Sequence, residues 1–168
     1  GYEGSVLATG STPTVPPIEG CELPGVFTVK WLDDALSLSR CLFSKGKALV
    51  VGAGFIGLEV ADALKKRGMA VTIAEVRSRI LSELMEPDFS LYLQRHIERN
   101  GVRILTEVSP TEIGGNKTVE YVKLVDEKVP MSLVVFTTGM NPNVEIAKKT
   151  GVKLGETGAV RTDRHMQT

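Results

Sequence analysis

Apolar residues along this chain fall into short runs separated by stretches with a helical repeat, the pattern of an α/β protein. The clearest run is KALVV at residues 47–51. It is followed from Phe55 by apolar residues at the three- and four-residue spacing of a helix. Basic residues before Gly68 suit the negative end of that helix. The pattern predicts a βαβαβ unit over residues 47–105, with strands at 47–51, 70–74 and 102–105 and a second helix at 87–99.

Shorter elements flank this unit on both sides. The apolar run at 133–137 predicts a buried strand that returns to the parallel sheet. We therefore expect an α/β Rossmann-type three-layer domain, with helices on both faces of a parallel sheet plus a small antiparallel β-meander at 107–130. The remaining predictions are a strand at 5–9, a loop at 11–24, a helix at 31–43, meander strands at 107–113, 119–125 and 128–130, a helix at 143–149 and an irregular tail from 151.

Composition narrows the function classes. Twenty Lys and Arg residues balance twenty Asp and Glu residues, so no charge excess favours nucleic acid or a membrane surface as a partner. Cys21 and Cys41 form no CxxC pair and no metal-ligand spacing, which predicts two reduced thiols and no metal site. No apolar run reaches membrane-spanning length and no signal peptide opens the chain, so we expect a cytoplasmic setting.

The residues with the clearest chemistry are in VVGAGFIGLEV, which places GxGxxG between a strand and a helix. Gly52 permits a tight turn, Gly54 lets a pyrophosphate approach the backbone, and Gly57 lets helix and strand pack closely. The first N–H groups of the helix face the phosphates. Together with the intervening residues Ala53, Phe55 and Ile56, these glycines form the predicted dinucleotide-binding turn.

An acidic residue ends the second predicted strand. Glu75 can accept hydrogen bonds from the adenosine ribose hydroxyls, and its charge would repel a 2′-phosphate. This favours NAD(H) over NADP(H). Arg77 and Arg79 follow closely, and an arginine at this place can accommodate a 2′-phosphate, which makes NADPH the alternative nucleotide.

Taken together, these segments resemble the NAD-binding domain of the FAD-dependent pyridine nucleotide-disulfide oxidoreductases. The resemblance is strongest to the branch of NADH oxidases, NADH peroxidases and coenzyme A disulfide reductases. It covers nearly the whole chain: ATGSTP near the start, GVFTVKWLDDAL, GAGFIGLE with Glu75, LVVFTTGMNPN, and RTDRHMQT at the end. Ser132 departs from the aspartate that is common before the LVV strand in this family.

The resemblance implies roles for four further residues. Phe55 matches a bulky residue that gates the nicotinamide pocket, although tyrosine is common there. Glu59 matches a helix glutamate near the nicotinamide carboxamide. Thr138 and Gly139 match a strand end whose backbone lies beside the dinucleotide.

The resemblance also implies a domain division: residues 1–28 as an edge of an FAD domain, 29–157 as the NAD-binding domain, and 158–168 as the return to the FAD domain. The redox cysteine, the FAD motifs and the C-terminal domain would lie in missing parts of a larger parent, for which a homodimer is one option. We therefore expect no catalytic residue in this chain, FAD only in the parent, and an isolated chain that is colourless and inactive.

Two other functions share parts of this sequence pattern. A stand-alone dinucleotide-binding or sensing module without catalysis would fit the glycine motif equally well, but has no use for the flanking FAD-like segments. A methyltransferase-type domain is disfavoured by the glycine spacing and the meander. The electron acceptor of the parent stays open among oxygen, peroxide, a disulfide and a redox protein.

Overall fold

The computed structural model describes residues 3–42 and 45–168, which form two compact units. One unit is Val15–Thr138, and the other combines residues 3–14 with Gly139–Thr168. The strands are β1 (Ser11–Pro13), β2 (Val26–Thr28), β3 (Lys47–Val51), β4 (Ala70–Glu75), β5 (Arg103–Thr106), β6 (Pro110–Gly114), β7 (Tyr121–Leu124), β8 (Glu127–Pro130), β9 (Leu133–Phe136) and β10 (Met140–Pro142). The helices are α1 (Leu32–Arg40), α2 (Phe55–Lys66), α3 (Pro87–Arg99) and α4 (Glu145–Lys149).

The larger unit is built around a five-stranded parallel sheet in the order β2-β9-β3-β4-β5. The four strands predicted for it are confirmed, with ends shifted by at most one residue. The sequence pattern missed β2, because three residues give too short an alternation to identify a strand. The βαβαβ unit is also confirmed, and Gly68 ends α2 with a φ of +87°.

The elements that cover the two faces of the parallel sheet differ from the predicted ones. Side chains of α1, α2 and α3 pack on one face of the sheet, around core residues such as Val50 and Ile73. The other face, including Leu49 and Phe136, is covered by the antiparallel sheet β6-β7-β8. The prediction of helices on both faces is therefore wrong for this unit, although the fold remains α/β with a parallel sheet, helices and a meander.

Connection handedness explains this arrangement. The chain steps from β3 to β4 to β5 in one direction, so right-handed crossovers place α2 and α3 on the same face. The return from β5 to β9 runs the other way across the sheet, and a right-handed crossover then passes over the opposite face. The meander occupies that return connection.

The first meander strand begins later than predicted, at Pro110. The backbone N–H of Glu107 donates to the carbonyl of Arg77 at 3.0 Å, and that of Val108 donates to the carbonyl of Glu75 at 2.9 Å. These bonds direct residues 107–108 to the end of β4 and away from the meander. They also fix the start of the segment that follows β4.

The smaller unit contains a two-stranded antiparallel sheet of β1 and β10, and α4. The prediction of a strand at 5–9 is wrong. Val6 is 92% exposed, and in the described part of the chain no strand pairs with this segment, so its backbone lacks the partner that a strand requires. The loop predicted at 11–24 contains β1, and the last helix starts at Glu145 because Asn143 is engaged with Thr9 by side-chain and backbone hydrogen bonds.

The first helix of the chain spans α1 within the predicted range 31–43, whose residue 43 lies outside the described residues. Its start is fixed by Asp34, whose carboxylate accepts hydrogen bonds from the backbone N–H groups of Lys30 and Trp31 at 2.9 and 2.8 Å. Among the residues described, none of the helices has the length and apolar character needed to cross a membrane.

Candidate dinucleotide site

The glycine turn, residues 52–57, connects β3 to α2 as predicted. Gly52 has a φ of +103°, and a Cβ atom there would lie 2.7 Å from the backbone oxygen of Thr137. A Cβ atom on Gly57 would lie 2.1 Å from the oxygen of Gly52. Both positions therefore require glycine, the first for its conformation and the second for the close approach of helix and turn.

Gly54 differs from these two glycines. It is the N-cap of α2, and a Cβ atom built there meets nothing within 4 Å. No side chain caps the helix, and the N–H of Leu58 is the one that donates to the Gly54 oxygen, at 3.1 Å. The N–H groups of the first helical residues, ahead of Leu58, have no carbonyl to bond within the helix and lie beside this open space. This is the arrangement that a phosphate group requires.

Glu75 is the last residue of β4, lies next to this turn and is only 8% exposed. One of its oxygens, Oε2, accepts a hydrogen bond from the N–H of Ala53 at 2.7 Å. The other, Oε1, accepts one from the N–H of Arg77 at 2.9 Å. Each carboxylate oxygen has two lone pairs, so both can accept a further donor. The carboxylate is fixed in place and retains capacity for hydroxyl groups.

Ala53 is fixed from a second direction by the segment after β4. Its carbonyl accepts a hydrogen bond from the N–H of Leu81 at 3.0 Å. Leu81 has a φ of +48°, an uncommon value for a residue with a side chain. The fully buried hydroxyl of Ser90 in α3 donates to the carbonyl of Ile80 at 2.6 Å and anchors the same segment. The turn and residues 76–86 therefore support each other.

The two arginines after Glu75 are placed differently. The Arg77 guanidinium is half exposed and forms an ion pair with Glu83 at 2.6 Å. Arg79 donates from Nη2 to the carbonyl of Ser82 at 2.9 Å, and its Nε is buried without a hydrogen-bond partner among the described residues. Each guanidinium is thus engaged within the segment after β4, which leaves Glu75 as the group beside the turn.

The remaining predicted site residues of α2 lie on its exposed side. Phe55 and Ile56 are 58% and 47% exposed at the start of the helix, and Glu59 is exposed one turn after Phe55. Exposed aromatic and aliphatic side chains at a helix start provide apolar surface for a bound ring. Their roles toward nicotinamide stay predictions.

Thr138 is half-buried and is the last residue of the larger unit. Gly139, with a φ of +103°, begins the part of the smaller unit that leads into β10, and its carbonyl accepts a hydrogen bond from Thr14 at 2.9 Å. Contact of their backbone with a dinucleotide also stays a prediction.

Sequence reasoning missed the side chain of Thr137. Its hydroxyl lies 2.9 Å from the carbonyl oxygen of Val51 and 3.1 Å from that of Gly52. The residue is separated from the turn by more than eighty positions, and β9 brings it there by pairing with β3. A single sequence carries no signal for such a long-range contact.

The shifted pKa values belong to groups outside the predicted site. The hydroxyl of Tyr121 and, less strongly, the charge of Lys128 hold the pKa of Glu112 below its usual value. Conversely, Tyr121 and Glu112 raise the pKa of Lys128. At the end of α2, hydrogen bonding and ion pairing with Asp62 raise the pKa of Lys66. Cys21 and Cys41 carry free, half-buried thiols.

Comparison with known proteins decides the family. The family described as pyridine nucleotide-disulphide oxidoreductase matches residues 1–168. The chain belongs to this family. A relative called NADH oxidase, from Methanocaldococcus jannaschii, is 37% identical over 99% of this chain, which spans 38% of that relative's length. The matched length is thus well under two thirds of that relative.

Two solved oxidoreductase structures show the same fold. An FAD-dependent pyridine nucleotide-disulphide oxidoreductase from Desulfovibrio vulgaris superposes with a TM-score of 0.87 at 33% identity, over 99% of this chain and 43% of the other. The water-forming NADH oxidase from Lactobacillus brevis, solved bound to NADH, gives a TM-score of 0.85 at 26% identity, over 94% of this chain and 35% of the other. The predicted family and fold class are confirmed, and relatives in the family use FAD and NAD(P)H.

Proposed function

We propose that this chain binds NADH at the glycine turn and that, within a longer oxidoreductase, it presents the nicotinamide to FAD. The observation that carries the proposal is the buried carboxylate of Glu75, which is held beside the uncapped start of α2 and the open space at Gly54. Phosphates fit the free N–H groups of the helix, and ribose hydroxyls fit the carboxylate.

The protein supplies binding and orientation to this reaction. When bound, the cofactors supply hydride transfer from nicotinamide C4 to flavin N5. Gly54 admits the pyrophosphate to the backbone, and Glu75 fixes the adenosine end. Phe55, Ile56 and Glu59 would contact or border the nicotinamide end, with Thr138 and Gly139 along the dinucleotide. None of these residues moves a proton or forms a bond.

Glu75 also supports NADH over NADPH as the preferred nucleotide. A carboxylate with little exposure to water meets a 2′-phosphate as a like charge, and this repulsion is weakly screened. Arg77 is paired with Glu83 and therefore offers less positive charge to such a phosphate. We therefore expect NADPH to bind more weakly than NADH but still to bind, because the exposed ion pair of Arg77 can open at small cost in free energy.

Parallel titrations of the 168-residue chain with NADH, NAD⁺, NADPH and FAD test this function. We expect saturable binding of NADH and NAD⁺, weaker binding of NADPH, and no stoichiometric flavin. The same titrations on Glu75→Ala test the carboxylate, and the variant Glu127→Ala, at an exposed glutamate of β8, is its control for loss of one negative charge. Absence of NADH binding by a folded chain would contradict the proposal.

The properties of the whole protein are part of the proposal. We expect FAD-dependent NADH oxidation in the longer protein and a cytoplasmic location. The assignment of residues 1–28 and 158–168 to an FAD domain is likewise a prediction. The chain by itself should be colourless and inactive toward NADH, which an absorbance spectrum and an NADH oxidation assay would check.

A further inference from the structure

We infer that Thr137 is a positioning residue that clamps the Gly52–Ala53 peptide and thereby orients Glu75 for the ribose. This inference rests on the proposed function. The hydroxyl of Thr137 lies 3.1 Å from the carbonyl oxygen of Gly52, and Glu75 Oε2 lies 2.7 Å from the N–H of Ala53. These carbonyl and N–H groups belong to one peptide unit.

The geometry of the peptide links the two contacts. In a trans peptide the C=O and the N–H lie in one plane and point in opposite directions. Thr137 therefore holds one side of the plane and Glu75 holds the other. A shift of either side chain would rotate the peptide plane and strain the hydrogen bond made by the other.

The carbonyl of Gly52 depends on this hydroxyl. It points toward the α-carbon of Gly57, since a Cβ atom there would lie 2.1 Å from it. The carbonyl of Val51 already accepts the N–H of Thr137 at 2.8 Å, so the hydroxyl proton can serve Gly52 without leaving Val51 unpartnered. Without the hydroxyl, the Gly52 carbonyl loses its donor inside the strand-to-helix packing, which favours rotation of the peptide.

Rotation of this peptide would remove the N–H of Ala53 from Glu75. The carboxylate would keep its bond to the N–H of Arg77 but lose its shorter and more buried anchor. A ribose-binding carboxylate must be held in position before the ligand arrives if it is to contribute fully to affinity. Thr137 therefore acts on the adenosine end of NADH through the peptide and Glu75.

The test compares Thr137→Val with Thr137→Ser. Valine keeps the shape and removes the hydroxyl, whereas serine keeps the hydroxyl. We expect about tenfold weaker NADH binding for Thr137→Val, with a smaller change for NADPH, and near wild-type binding for Thr137→Ser. Thr72→Val, a threonine of the same sheet that lines the groove beside the meander, is the matched control. Equal effects of valine and serine, or unchanged NADH binding in Thr137→Val, would overturn the inference.

A measurement without ligand separates the clamp from the proposed function. The amide proton of Ala53 should resonate downfield in the wild type, because it donates to a carboxylate, and should move upfield in Thr137→Val but not in Thr137→Ser. If the wild type binds no NADH, the proposed function fails, but the chemical shift of the Ala53 amide proton still tests whether Thr137 holds the peptide. If Thr137→Val does not fold, Glu75→Gln must shift the side-chain resonances of Thr137, and unchanged resonances overturn the clamp.

Discussion

The carboxylate of Glu75 accepts a hydrogen bond from the N–H of Ala53 at 2.7 Å, across 22 residues of sequence. This bond joins the end of β4 to the turn that follows β3, so the acidic group and the phosphate-binding backbone form one structure. Because the carboxylate is 8% exposed, water screens it little. Its removal should therefore affect both the turn and the choice of nucleotide.

Replacement of Glu75 by alanine should weaken NADH binding about 10- to 100-fold, because charge-assisted hydrogen bonds to the ribose are lost. NADPH binding should fall less or improve, since the repulsion of the 2′-phosphate disappears. Competitive titration of both nucleotides against the folded variant measures the ratio. A wild type that binds NADPH as tightly as NADH would transfer the controlling role to Arg77 and Arg79.

Replacement of Glu83 by alanine frees the guanidinium of Arg77 from its ion pair. Both side chains are more than half exposed, so the pair contributes little to stability, and the melting temperature should stay the same. NADPH affinity should rise by about two- to fivefold, with NADH affinity unchanged. The double variant Glu83→Ala, Arg77→Ala is the control, and persistence of the gain there would exclude Arg77 as its source.

Local sequence patterns predicted much of the site. The strand, the glycines and the amphipathic helix are contiguous, so residues 47–66 could be assigned from spacing alone. Glu75 was found because the acidic residue follows the motif at a known distance. Both assignments use interactions within one βαβ unit.

Interactions between distant segments could not be predicted in this way. Thr137 contacts Gly52 because β9 inserts beside β3, and Leu81 reaches Ala53 through a backbone bond from a loop with left-handed φ. The strand expected at 5–9 failed for the converse reason, since an apolar run becomes a strand only where another strand accepts its hydrogen bonds. The side of the sheet covered by the meander follows from connection handedness and not from any residue pattern.

The meander offers a test of pH dependence. Tyr121 hydrogen-bonds Glu112, while Lys128 donates to the Tyr121 hydroxyl at 2.8 Å, and the pKa of Glu112 lies below its usual value. A lowered pKa in the folded state gives stability that is present at neutral pH and is lost as the pH falls from the usual value through the lowered one. In Tyr121→Phe the pKa of Glu112 should rise toward its usual value, as measured by NMR titration of the side-chain carboxyl.

The neighbouring lysine supplies a second measurement on the same variant. The hydroxyl of Tyr121 is the largest cause of the raised pKa of Lys128, so that pKa should fall in Tyr121→Phe. Lys66 has a raised pKa because of Asp62, in α2, and its value should stay constant as an internal control. An unchanged pKa of Glu112 in Tyr121→Phe would show that Lys128, and not Tyr121, lowers that pKa.

Two glycines of the turn provide a matched pair for separating folding from binding. A methyl group on Gly57 would lie 2.1 Å from the oxygen of Gly52, closer than any real contact, although alanine is otherwise favoured in a helix by about 1 kcal/mol. The clash outweighs this propensity because the Gly52 oxygen is a backbone atom and the methyl carbon is fixed directly to the backbone of the packed helix, so neither can move aside. Gly57→Ala should therefore lower the melting temperature and, with it, NADH binding.

A methyl group on Gly54 meets nothing within 4 Å, and the φ of −78° there suits alanine. Gly54→Ala should consequently fold without a clash, and its stability should stay near that of the wild type, because the less flexible unfolded chain offsets the lower preference of alanine for the N-cap position. It should nevertheless weaken NADH binding by tenfold or more, because the methyl group occupies the space through which a pyrophosphate reaches the helix N–H groups. Thermal unfolding and NADH titration on both variants check the pair. Full NADH affinity in Gly54→Ala would show that the phosphates do not approach the backbone there and would move the site away from the glycine turn.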